Sequence, residues 1–162
     1  MSARTEQLEA LGLLAAHEAA MADFYSALGA RFTECADLFL TLATAERDHA
    51  RRITDFAALV SAGTVRVDPG RFPAAALLAS LDSIGEEVRR AQAPTMTLSG
   101  ALSVAHELED ALIESRYYES VEGDSAELKE LVERLSRELA EHRALLERAK
   151  ENAGARPCNA GT

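Results

Sequence analysis

The sequence predicts an all-α protein: an antiparallel four-helix bundle with one long crossover connection that contains a short extra helix. The composition favours helices, because Ala, Leu, Glu and Arg are abundant and only 4 of the 162 residues are proline. Apolar residues recur at helical spacing in four long segments. These segments come in two pairs, each joined by a short turn, with roughly 35 residues between the pairs. The pattern therefore predicts two helical hairpins joined by a crossover.

The first pair of helices is predicted over about Thr5–Leu28 and Thr33–Ala62. Gly29 and Gly63 follow these helices directly, and glycine is the residue most often found just beyond a helix end. The turn between the two helices is short, so they must run antiparallel. Asp68-Pro69-Gly70 then marks a turn in the crossover, since proline presets φ and glycine permits the reversal.

The rest of the chain carries three further predicted helices. In order, they cover about Ala74–Gln92 within the crossover, Ser99–Val121 and Ser125–Asn152. Gly123-Asp124 forms the tight turn between the last two helices. The final residues are rich in Gly, Ala, Pro, Asn and Thr, a composition typical of a frayed end. We therefore expect residues 1–152 to form one bundle domain and residues 153–162 to form a flexible C-terminal tail.

The charge and the hydropathy of the chain exclude some classes of partner. The formal net charge is −10, whereas proteins that bind nucleic acid or anionic membranes generally need a basic surface. No apolar stretch reaches the ~20 residues that a membrane-spanning helix needs. Met1–Gln7 lacks the basic residues followed by an apolar run that mark a signal peptide. We expect a cytoplasmic protein without nucleic-acid or membrane partners.

Three ionisable residues lie on the predicted apolar faces of the first two helices. Glu18 falls among Leu and Ala residues of the first helix, and Glu46 and His49 share the apolar face of the second. Burying an ionised carboxylate costs several kcal/mol unless a cation compensates it. His17 and His106 project away from the core directions and are predicted at the surface or its boundary. Glu18, Glu46 and His49 therefore predict a metal ion bound between the first two helices.

The second pair of long helices offers a matching set of side chains. His142 falls among the core leucines of the last helix, and Glu138 lies one turn before it at the edge of that face. In the third long helix, Glu109 lies at the edge of the apolar face and is our first choice for a ligand. Glu107 and Glu114 lie on the far flank of that helix and remain alternatives if the helix is rotated.

These residues resemble the rubrerythrin branch of the ferritin-like superfamily. The resemblance covers about Leu8–Ala149. It rests on Glu18 with Phe24-Tyr25, on Glu46-Arg47-Asp48-His49-Ala50, on Ala105-His106-Glu107-Leu108-Glu109 before Tyr117-Tyr118, and on His142. In that family, a glutamate from each of two helices and a Glu-x-x-His pair from each of the other two hold a di-iron centre. The resemblance implies the ferritin-like form of the bundle.

Carried over to this sequence, the resemblance implies a centre that binds iron, with manganese as the alternative metal. The implied ligands are Glu18, Glu46, His49, Glu109, Glu138 and His142. Leu139 departs from the family pattern, because it stands three residues before His142, where the family has a glutamate. Glu138 is its displaced replacement, and the second iron position is left open. The sequence also lacks the paired cysteine motif of the family's rubredoxin-like domain, since Cys35 and Cys158 stand far apart.

The resemblance implies one of two activities, namely peroxide or O₂ reduction with an external electron donor, or the oxidation of ferrous iron. Tyr25 is the candidate catalytic residue, which would tune the centre or relay electrons; the alternative is a core tyrosine with a bonded hydroxyl. We expect a homodimer, since ferritin-like bundles commonly assemble. Leu139 favours a competing interpretation, in which the bundle lacks a complete centre and acts as a non-catalytic interaction or iron-buffering module. A cage-forming iron store is the third interpretation.

Overall fold

The computed structural model describes residues 3–65, 74–115 and 125–153, and the side chains of residues 3 and 112–115 are outside that description. Its helices are α1 (Ala3–Arg31), α2 (Ala36–Ser61), α3 (Ala74–Ala91), α4 (Leu98–Ser115) and α5 (Ala126–Asn152), with one turn of 3₁₀ helix at Thr33–Cys35. These residues contain no β-strand, so the all-α fold class is confirmed. The short helix expected in the crossover is α3, and the last two long helices are α4 and α5.

Several predicted features lie outside the described residues. They are the turn signals Asp68-Pro69-Gly70 and Gly123-Asp124, the pair Tyr117-Tyr118, and the expected tail from residue 154 onward. Within the described part of the chain, no helix combines the length and the apolar character that a membrane span requires.

The chain continues as an α-helix through Gly29, so the predicted helix break at that residue is wrong. Helix α1 runs on to Arg31, and α2 begins at Ala36 rather than at Thr33. Gly29 is buried where α1 meets the start of α2, and a Cβ there would lie 3.4 Å from Cγ of Leu40. An interior glycine costs a helix only about 1 kcal/mol. Packing of α1 against α2 outweighs that cost, because tertiary contacts supply most of the stability of a helix.

Gly63 closes the end of α2, as the sequence predicts. Its φ of 77° lies in the left-handed region, which glycine adopts without strain. The amide of Gly63 donates a hydrogen bond to the carbonyl oxygen of Val60, and the amide of Thr64 donates one to that of Leu59, each at 3.0 Å. This pair of bonds is a Schellman motif, which satisfies carbonyl groups in the last turn of the helix.

The apolar core is divided into two clusters along the length of the helices. Helix α1 packs against both α2 and α3, and α4 packs against α5. One cluster is represented on α1, α2 and α5 by Leu14, Ile53 and Leu139. The other is represented on the same helices by Tyr25, Phe39 and Leu146. Between the two clusters, each of these helices carries buried ionisable side chains: Glu18 on α1, Glu46 and His49 on α2, and His142 on α5. A polar layer therefore crosses the core.

Candidate metal centre

Five of the six ligands predicted from the sequence meet in this polar layer. They come from four helices and are Glu18 of α1, Glu46 and His49 of α2, Glu109 of α4 and His142 of α5. None of these residues is more than 5% exposed, and Glu109 is fully buried. Buried ionisable groups at this density need mutual pairing or a bound cation.

The first group consists of Glu18, Glu46 and His49. Nδ1 of His49 lies 3.3 Å from Oε2 of Glu18 and 3.1 Å from Oε2 of Glu46. One donor atom from each residue lies within 4.8 Å of the other two. The i, i+3 spacing on α2 brings Glu46 and His49 together, and the packing of α1 against α2 supplies Glu18.

The second group consists of Glu46, Glu109 and His142. Nδ1 of His142 lies 2.8 Å from Oε1 of Glu46 and 3.7 Å from Oε1 of Glu109. Glu46 therefore belongs to both groups and presents a different oxygen to each of the two histidines. The rings of His49 and His142 are stacked with their centroids 5.4 Å apart. The two groups are thus adjacent and share one carboxylate.

Three donor atoms of the second group are buried and have no hydrogen-bond partner in the part of the chain that the structure describes. They are Oε1 of Glu46, Oε2 of Glu109 and Nδ1 of His142. Oε1 of Glu46 and Nδ1 of His142 are 2.8 Å apart, but they are not aligned for a hydrogen bond. Nitrogen and oxygen ligands at roughly 2.0–2.2 Å from one metal ion lie about 3 Å from each other and point at the ion. Both the spacing and the unsatisfied atoms fit a metal ion.

The electrostatics of the layer also favour a cation. Burial and the nearby charge of Glu18 raise the pKa of Glu46 to about 8. Burial opposes the charged form of His49, but its hydrogen bonds to Glu18 and Glu46 raise its pKa to about 11. The same balance, with Glu109 and Glu46 as the acidic partners, raises the pKa of His142 to about 9. Protons therefore supply the compensating positive charge when no metal ion does.

Tyr25 contacts the layer through its hydroxyl group. The hydroxyl donates a hydrogen bond of 2.6 Å to Oε1 of Glu109. Burial and the charge of Glu109 raise the pKa of Tyr25 well above its usual value, so the phenol keeps its proton. The bond holds the Glu109 carboxylate toward α1, within the polar layer.

The sequence predicts Glu138 as a ligand, whereas the structure places it in neither group. Its Oε2 lies 2.8 Å from Nε2 of His49, and its Oε1 accepts a hydrogen bond of 2.8 Å from Nε of Arg134. Its side chain is 22% exposed, unlike the five buried residues. Leu139, the neighbouring residue, is buried in an apolar cluster and donates nothing to the layer.

The structure distinguishes two of the three candidate glutamates of α4. Glu109 is buried and belongs to the second group, whereas Glu107 is exposed. The side chain of Glu114 is outside the described residues. Helix α4 is therefore rotated so that Glu109 faces α1 and α5.

His17 is a residue of the layer that sequence reasoning missed. It is 2% exposed, its Nε2 lies 2.9 Å from Oγ of Ser80, and its Nδ1 lies 3.8 Å from Oε1 of Glu18. The helical wheel of α1 assigns it to the boundary because the wheel does not include α3, which covers this flank. Its position next to Glu18 was the available signal. His106, by contrast, is partly exposed and pairs with Asp110 at 3.2 Å, as a boundary histidine would.

Comparison of the chain with protein-family models, with curated proteins and with solved structures gave no significant match. Any functional conclusion therefore depends on the residues of the site and their geometry.

Proposed function

We propose that this protein is a rubrerythrin-like, ferritin-like bundle with a non-haem di-iron centre, acting as a peroxide- or O₂-linked oxidoreductase or in ferrous iron oxidation. The observation that supports this most is the shared carboxylate of Glu46. Its two oxygens lie 3.1 Å from Nδ1 of His49 and 2.8 Å from Nδ1 of His142. A carboxylate arranged in this way would be a ligand in both groups, which suits a two-metal site in a helical bundle.

Each ion would have three protein ligands. Glu18, Glu46 and His49 would hold the first ion, and Glu46, Glu109 and His142 would hold the second. One histidine and two carboxylates suit iron or manganese better than a soft metal, and three ligands leave coordination positions open. Iron is therefore the proposed physiological metal, with manganese as its competitor.

Bound iron would supply one-electron redox chemistry. Reduction of one H₂O₂ to two molecules of water takes up two electrons and two protons, so this activity needs an external electron donor. Ferrous iron oxidation instead uses the incoming iron as the donor and O₂ or H₂O₂ as the acceptor. The surrounding residues would hold the ligand side chains in place and exclude water, and Tyr25, bonded to Glu109, is the candidate for tuning the centre or relaying an electron.

The first test is the iron content of the purified chain after anaerobic ferrous loading and desalting. We expect about two irons per chain, one for each three-residue group, followed by consumption of H₂O₂ when a reductant is supplied. About one iron would reduce the proposal to a half-site, and no retained iron would overturn it. Glu107→Ala is a matched control, because Glu107 is an exposed glutamate of α4.

A second candidate function is a non-catalytic module that interacts with a partner or buffers iron. Burial of Leu139 in the apolar cluster, where the resemblance implies a glutamate, favours this alternative. The two functions differ in turnover: a buffer releases the iron that it took up, whereas an oxidoreductase consumes many equivalents of peroxide per centre.

The proposed assembly is a homodimer. A native mass equal to a closed shell of many subunits would instead indicate an iron store.

A further inference from the structure

The two histidines of the centre have different surroundings on the side away from the proposed ions. Nε2 of His49 lies 2.8 Å from Oε2 of Glu138. No hydrogen bond to Nε2 of His142 occurs among the described residues. The rings are otherwise similar, since each presents Nδ1 to a pair of glutamates. Within the described ranges, only the first group therefore has a carboxylate that contacts the far nitrogen of its histidine.

Glu138 is itself held in place from two directions. Arg134, one turn earlier on α5, donates from Nε to Oε1 of Glu138 at 2.8 Å, while Oε2 faces His49 on α2. Each oxygen of the carboxylate therefore has its own cationic or N–H partner. An exposed i, i+4 ion pair contributes little to stability, but it can fix the rotamer of a side chain that has a second contact.

A neutral imidazole carries one proton, and the position of that proton decides which nitrogen can bind a metal ion. A carboxylate that accepts the Nε2 proton leaves the lone pair of Nδ1 directed at the metal and makes the ring a better ligand. In His49, Nδ1 is the atom that faces Glu18 and Glu46. When a metal ion displaces the Nδ1 proton of His49, the contact with Glu138 would therefore keep the remaining proton on Nε2, which is the tautomer that this group requires.

We propose that Glu138, held by Arg134, is a positioning residue that accepts the Nε2 proton of His49 and makes the Glu18–Glu46–His49 group the tighter of two unequal metal sites. This inference rests on the proposed function and assigns Glu138 a role other than direct ligation. It predicts ordered loading: the first ion binds beside His49, and the second, more labile ion binds beside His142.

The test is anaerobic titration of the apoprotein with Co²⁺, followed by its visible absorption and by calorimetry. The unsubstituted chain should bind two ions in two resolved steps. Glu138→Leu should weaken the first step by about 10- to 100-fold, the usual effect of removing such a partner, and leave the second step within about threefold. Glu138→Gln keeps a hydrogen-bond acceptor and should recover most of the loss. Arg134→Ala should give an intermediate weakening.

Matched controls separate this positioning role from direct ligation and from a loss of folding. Glu141→Gln alters an exposed glutamate of the same helix and should change neither step. Thermal unfolding of each apoprotein should show that the variants are folded. The inference would be overturned if Glu138→Gln did not restore the affinity of the first step and if the Co²⁺ spectrum of Glu138→Leu showed a lower coordination number. These two results together would show that Glu138 ligates the metal ion directly. Two-step binding that is unaffected by Glu138→Leu would overturn the inference alone, whereas an unsubstituted chain that binds no Co²⁺ would overturn the proposed function.

Discussion

Tyr25 donates a 2.6 Å hydrogen bond to the carboxylate of Glu109, and this bond joins α1 to α4 in the interior. Both side chains are fully buried. Among the described residues, Oε2 of Glu109 has no hydrogen-bond partner, and the hydroxyl of Tyr25 supplies the hydrogen bond to its other oxygen. The bond also fixes the side of the polar layer on which Glu109 lies.

Substitution Tyr25→Phe should lower the free energy of unfolding of the apoprotein by about 1.5–3 kcal/mol, because it removes a hydrogen bond to a charged group without changing the shape of the ring. Urea unfolding measures the effect. In a double-mutant cycle with Glu109→Gln, the two changes should show a coupling energy of about 1 kcal/mol or more. Additive effects would mean that the hydroxyl does not stabilise the carboxylate.

Removal of single carboxylates should distinguish the two proposed metal ions. Glu18→Ala and Glu109→Ala should each retain about one iron per chain, since each leaves the other group intact. Glu46→Ala should retain almost none, because Glu46 belongs to both groups. Iron analysis after desalting gives the answer. Equal losses in all three variants would contradict a centre built from two groups that share Glu46.

The apoprotein should lose stability as the pH rises. The pKa values of Glu46, His49 and His142 are raised to about 8, 11 and 9, so the folded state binds protons that the unfolded state has released. The contribution of Glu46 should be lost between about pH 4.5 and 8, and those of the histidines from about pH 6.5 through 9 and 11. Urea midpoints of the apoprotein measured from pH 5 to 9.5 should therefore decrease.

The metal-loaded protein should behave in the opposite way over the same range. Metal ions must displace protons from Glu46, His49 and His142, so the affinity for metal rises with pH. Calorimetry at pH 7 in buffers of different ionisation enthalpy should detect the release of about three protons as both ions bind. Binding without proton release would contradict the raised pKa values of these three groups.

Leu139 should behave as a core residue and not as part of the centre. It is 5% exposed within the apolar cluster, so Leu139→Ala should lower the free energy of unfolding by about 2–5 kcal/mol. The number of irons bound per chain should not change. Loss of one iron together with a small change in stability would show that this position supports the second group.

Two glycines should respond in opposite directions to the same substitution. Gly12 is an exposed residue inside α1, and a Cβ there would meet no atom within 4 Å. Gly12→Ala should therefore raise the stability by about 1 kcal/mol. Gly63 has a φ of 77° and closes α2, so Gly63→Ala should lower the stability by about 1 kcal/mol. Thermal unfolding of the two variants tests whether the left-handed conformation of Gly63 stabilises the end of α2.

Much of the site could be predicted from local spacing. The helical period identifies the buried face of a single helix, and Glu18, Glu46, His49 and His142 lie near the middle of such faces. Carboxylates and histidines in those positions are costly enough to indicate a metal ion. The all-α class follows from the same periodicity and from the composition.

Residues at the edges of the faces could not be placed in this way, because the neighbouring helix decides which edge is covered. Glu109 is buried and Glu107 exposed because α4 is rotated toward α1 and α5. His17 is buried because α3 covers that flank of α1, and Glu138 contacts His49 across the space between α5 and α2.

Short-range spacing along the chain thus predicts the number of helices, the ionisable residues on their buried faces and most of the donor atoms. The packing of the helices, in contrast, places the Glu46 carboxylate between both histidines and places Glu138 behind His49 rather than beside the donors. The physical reason is that the rotation and the approach of packed helices are set by contacts between residues far apart in the chain, which the period of a single helix does not contain.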